Sequence, residues 1–61
     1  MEMLYKEIEN WLSINQPTIK FQLFECDNCA CKYRIMLDFQ NGLSYAFGID
    51  SYEDFVSKMS N

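Results

Sequence analysis

Apolar positions recur with two different periods along this 61-residue chain. In the first stretch Leu4, Ile8, Trp11 and Leu12 are spaced by four, three and one, which gathers them on one face of a helix. That helix is expected to stop near Ser13, because Asn15 and Gln16 lead into Pro17 and a residue before proline is pushed out of helical geometry. From 18 to 24 the period becomes two: Ile19, Phe21 and Leu23 point one way, Lys20 and Gln22 the other, and Phe24 adds an aromatic to the polar side. The same alternation runs over 31–39, with Tyr33, Ile35, Leu37 and Phe39 on one face and Lys32, Arg34, Met36 and Asp38 on the other. A third alternating run covers 43–49, setting Leu43, Tyr45, Phe47 and Ile49 against Ser44, Ala46 and Gly48.

The turn between the second and third runs can be chosen from the pattern alone. A two-residue Asn41-Gly42 loop would pair Phe39 with Ser44 and put the two apolar sets on opposite faces. A three-residue loop, Gln40-Asn41-Gly42, pairs Phe39 with Leu43, Leu37 with Tyr45 and Ile35 with Phe47, so the two apolar sets share one face. Gly42 then supplies the left-handed residue that such a loop needs. After Ser51, a candidate N-cap with Asp54 three residues on, Tyr52, Phe55, Val56 and Met59 return to helical spacing. Glu53 and Asp54 in the first turn and Lys58 in the last suit the helix dipole.

The expected fold is therefore α+β, a single two-layer αβββα domain over 1–61: a three-stranded antiparallel meander with two helices on one face. The element order resembles that of double-stranded RNA-binding domains. Those domains clamp phosphate with lysines at the start of their second helix, and the matching stretch here, Asp50 to Asp54, is acidic. The resemblance is one of order only and does not imply RNA binding.

Composition narrows the function. Nine acids against five bases leave a net charge of −4, with no basic stripe to neutralise a nucleic acid backbone. With no histidine, the chain lacks the usual acid–base group and the commonest metal ligand. Its serines have no base to activate them, and its two glycines make no phosphate-binding loop. An enzyme is not expected. Glu2, Lys6 and Glu7 interrupt any apolar leader, and three cysteines, an odd number, fit a reducing cytoplasm.

The sharpest local chemistry is Cys26, Cys29 and Cys31. Cys26 and Cys29, with two residues between them, resemble half of a zinc knuckle, but no second pair or histidine completes four ligands. The plainer reading packs Cys31 in the core beside Tyr33 and leaves Cys26 and Cys29 as free thiols. No cofactor is expected on that reading; zinc binding or a redox-responsive dithiol is the alternative.

Removing catalysis, membrane and nucleic acid leaves a protein-binding module facing a basic partner. Small acidic proteins of this kind are often antagonists, such as phage-encoded anti-CRISPR proteins or neutralisers of nuclease toxins, which compete for phosphate-binding grooves. The candidate contacts are Glu2, Glu9, Asp50, Glu53 and Asp54, with Phe24 and Met36 on the polar side of the sheet. A homodimer through a sheet edge or that polar face is a further expectation, and an accessory subunit of a larger assembly is the remaining alternative.

Overall fold

The computed structural model describes residues 2–27 and 30–60. Their order is α1 (Glu2–Asn15), β1 (Lys20–Glu25), β2 (Tyr33–Asp38), β3 (Ser44–Ile49) and α2 (Tyr52–Ser60). The strands form one antiparallel sheet in the order β1-β2-β3, and both helices contribute to the core on one side of it. This is the α+β, αβββα arrangement that the periodicity predicts.

Burial follows the two periods. Ile8 and Leu12 from α1, Leu23 from β1, Ile35 and Leu37 from β2, Ile49 from β3 and Phe55 from α2 form the core. Phe55 anchors the helix layer. Trp11 meets it edge-on, with ring centroids 5.4 Å apart, and Phe47 stacks on it at 6.5 Å. Each such pair contributes about 0.5–1.5 kcal/mol beyond the area buried.

The β2–β3 turn has the expected three residues. Leu37 pairs with Tyr45 and Ile35 with Phe47. Phe39 N donates to Leu43 O at 2.9 Å, Gly42 N donates to Phe39 O at 3.2 Å, and Gly42 takes the left-handed φ of 87°. Asn41 Oδ1 accepts from Leu43 N at 3.1 Å and braces the turn from within.

Several boundaries differ from the sequence reading. Helix α1 runs to Asn15, past Ser13, and Gln16 N still donates to Leu12 O at 2.7 Å. Pro17 therefore ends the helix two residues later than expected, and Ile19 N closes back on Gln16 O at 3.1 Å. Strand β1 starts at Lys20 rather than residue 18, and β2 at Tyr33 rather than residue 31.

The helices also cover less of the apolar sheet face than the pattern implies. Helix α2 has nine residues and spans about 14 Å, whereas a six-residue strand spans about 20 Å. Phe47 and Ile49 lie under α2, but Leu43 remains 65% exposed and Tyr45 61%. The hairpin end of the core face is open.

Candidate functional site

Charge is unevenly divided between the two layers. Helix α1 carries Glu2, Glu7 and Glu9 against Lys6, and α2 carries Glu53 and Asp54 against Lys58. Two net charges on α1 and one on α2 give the helices −3 of the chain's −4. The remaining acids, Glu25, Asp27, Asp38 and Asp50, are nearly balanced by Lys20, Lys32 and Arg34 in the sheet and its turns. The helix layer is thus the acidic side of the domain.

The solvent side of α1 combines that charge with apolar groups. Met3, Glu7, Asn10 and Ile14 are spaced by four, three and four and form one exposed stripe. Met3 is 79% exposed and Ile14 72%. Glu2 and Glu9 flank the stripe, also exposed. Met3 and Ile14 do not belong to the core-facing pattern of α1; their signal in the sequence is that two large apolar residues fall off the buried face.

The five acids named from the sequence do not act alike. Asp54 belongs to the start of α2. Ser51 Oγ accepts from Asp54 N at 3.1 Å, which is the expected cap. The Asp54 carboxylate reaches back one residue beyond the cap, accepting from Asp50 N at 3.0 Å, and meets Lys58 Nζ at 3.2 Å. The Asp50 amide, then the Lys58 ammonium, holds its pKa below the usual 3.8. Asp50 in turn accepts from Lys32 N at 3.0 Å, tying the β1–β2 connection to the head of α2. Asp50 and Asp54 thus serve the fold's own hydrogen bonding, while Glu2, Glu9 and Glu53 are exposed.

Phe24 and Met36 lie on the face of the sheet away from the helices. Phe24 pairs with Arg34, and Met36 sits between Gln22 and Ala46. Phe24 is exposed and Met36 half-buried. Lys20, Arg34 and Asp38 share this face, so it is mixed in charge, and the structure does not join it to the acids of α1.

The cysteines depart from the plain reading. Cys26 is disulfide-bonded, not a free thiol, and Cys29 lies outside the described residues. Cys31 is a free thiol but does not join the core beside Tyr33. It is half-buried, and its Sγ lies 2.8 Å from where a Cβ on Gly48 would stand. Gly48 belongs to the outer face of β3, so Cys31 packs over the opposite side of the sheet from the one expected. The cause is the shorter β2: Cys26 N still pairs with Lys32 O at 3.0 Å, but Cys31 has already left the strand's alternation. Among the described residues no three cysteine or carboxylate side chains stand together as a metal site. A disulfide-bonded Cys26 offers no thiolate to a metal.

Among the described residues no helix is long and apolar enough to cross a membrane. The fold and surface define a small two-layer α+β domain with an acidic helix side. Set against protein-family models, curated proteins and solved structures, the chain has no significant match.

Proposed function

We propose that this chain is a protein-binding module whose acidic helix side, α1 foremost, docks on a basic nucleic-acid-handling protein and occludes its phosphate-binding groove. The observation that carries this reading is the concentration of charge: the helices hold −3 of the net −4, and exposed Met3 and Ile14 stand among the acids of α1. Carboxylates steer a basic surface into contact, and the apolar side chains at the two ends of the stripe add contact area that is buried on docking. Glu2, Glu7, Glu9 and Glu53 are the contacts, and Asp50 and Asp54 fix the start of α2. The class of activity is antagonism, as in phage anti-defence proteins of the anti-CRISPR kind or toxin neutralisers, and the chain itself does no chemistry.

The test is capture by the immobilised chain from extracts of nuclease-bearing bacteria, repeated with Glu2→Lys, Glu7→Lys and Glu9→Lys combined. The reading expects a basic protein that is released by salt or by competing polynucleotide and is lost with the triple variant. Capture unchanged by the triple variant overturns it.

A second reading rests on the disulfide of Cys26, a redox-responsive β1–β2 connection involving Cys26, Cys29 and Cys31. Alkylation of protein isolated without reductant tests it. Labelling of Cys31 alone before reduction, and of Cys26 only afterwards, supports this reading. Labelling of Cys26 without reduction removes it.

A further inference from the structure

Strand β3 is an edge of the sheet, and its hydrogen-bonding pattern shows which groups face outward. Phe39 N donates to Leu43 O, so Phe39 and Leu43 form a hydrogen-bonded pair. Antiparallel pairs alternate, which makes Leu37–Tyr45 and Ile35–Phe47 hydrogen-bonded pairs as well. The N–H and C=O groups of Ser44, Ala46 and Gly48 then point away from β2. The Gly48 carbonyl confirms the phase, because Lys58 Nζ donates to it from outside the sheet. Lys58, held by Asp54, blocks the Ile49 end of the edge; Ser44 and Ala46 remain open to another strand.

We infer that a second copy of this chain pairs with β3 along this open stretch, antiparallel and about a two-fold axis at Tyr45. In that register Ser44 and Ala46 exchange hydrogen bonds with Ala46 and Ser44 of the partner subunit. Tyr45 faces its own counterpart, and Leu43 lies opposite Phe47 of the partner subunit. The sheets join into one.

The uneven cover of β3 selects this occupant. Helix α2 shields the Phe47–Ile49 half of the strand and leaves the Leu43–Tyr45 half open. An antiparallel two-fold sets each open half beside the partner's shielded half, so the helix of each copy extends the roof over the apolar residues that the other exposes. The outward side chains of the opposite face, Ser44 and Ala46, are small and admit the approach. Charge does not oppose the contact. The acids of α1 lie on another element, Lys58 is already paired with Asp54, and Asp38, the cross-strand neighbour of Ser44, lies one strand in from the edge on the opposite face from Leu43 and Tyr45. A 61-residue domain with a thin core also gains from burying more apolar surface. The dimer leaves the solvent side of α1 free, so it stands or falls independently of the proposed docking face.

Sedimentation equilibrium of the reduced protein over a concentration series tests the inference. The wild type is expected to approach twice the monomer mass as concentration rises. Ser44→Pro removes an outward N–H that serves no strand within the chain, and Leu43→Lys places charge opposite Phe47 of the partner subunit. Each is expected to return the monomer mass while keeping the wild-type circular dichroism. An isotope-filtered NOE from Leu43 methyls to the Phe47 ring, residues too far apart along one strand to touch, is expected in mixed-label dimer. A wild type that stays monomeric to millimolar concentration overturns the inference. So does a dimer that survives both substitutions or lacks that NOE.

Discussion

Cys31 occupies the space above Gly48 that any other residue at position 48 would fill: Sγ lies 2.8 Å and Cβ 2.9 Å from the place of the missing Cβ. Glycine is required at 48 by this neighbour and not by its backbone, whose φ is not left-handed. Gly48→Ala is expected to destabilise the domain by about 1–3 kcal/mol, as overpacking does. Cys31→Ala keeps the offending Cβ and should relieve little of that loss, whereas Cys31→Gly should relieve most of it. Urea denaturation of the single and double variants measures the coupling. Additive effects of Gly48→Ala and Cys31→Gly would show that the two positions do not touch.

Gly42 presents the opposite case. Nothing stands within 4 Å of its missing Cβ, but its φ is 87°. Gly42→Ala should therefore cost roughly 1–2 kcal/mol through backbone conformation alone. Gly42→Asn should cost less, since asparagine tolerates the left-handed region. Equal losses for both variants in thermal denaturation would contradict this account of the turn.

Phe55 joins the two layers through Trp11 and Phe47. Phe55→Ala is expected to remove about 3–5 kcal/mol, comparable with the whole stability of a domain this small. The variant should be largely unfolded at room temperature, with the emission of Trp11, the sole tryptophan, shifted to the red. A blue, cooperative unfolding signal would show that the aromatic contacts carry less than their burial implies.

The Asp54 carboxylate makes stability depend on pH. Its pKa is lowered in the folded state, chiefly by the Asp50 amide and then by Lys58. The stabilisation is therefore present above the ordinary value of 3.8 and is lost as pH falls through the lower folded value. Asp54→Asn should be less stable than wild type near neutrality, and the gap should close as the solution is taken below 3.8. A gap independent of pH would assign the effect to something other than the carboxylate's charge.

These features differed in how far the sequence disclosed them. The three-residue turn was legible because a slip of one residue moves Leu43, Tyr45, Phe47 and Ile49 to the wrong face. The Ser51 cap was legible from spacing. The position of Cys31 was not, because it depends on β2 starting at Tyr33, and alternation cannot show where a strand stops pairing. Nor could the sequence separate Asp50 and Asp54 from Glu2, Glu9 and Glu53. Asp50 finds the Lys32 amide only when the β1–β2 connection folds against the head of α2, and Asp54 reaches past the Ser51 cap to the Asp50 amide only once that helix start has formed. The exposed hairpin end has a similar origin: the face of Tyr45 follows from its parity, but its exposure depends on the reach of a nine-residue helix.

Docking through the acidic side of α1 can be read residue by residue. The most direct measurement is a 15N-HSQC titration of the labelled chain with the protein it captures. Docking on α1 should give shifts and broadening along Met3, Glu7, Asn10 and Ile14 and their flanking acids, weakening as salt is raised, with Phe24 and Met36 unmoved. Shifts confined to Phe24, Met36 and the strands around them, with α1 silent, would contradict it.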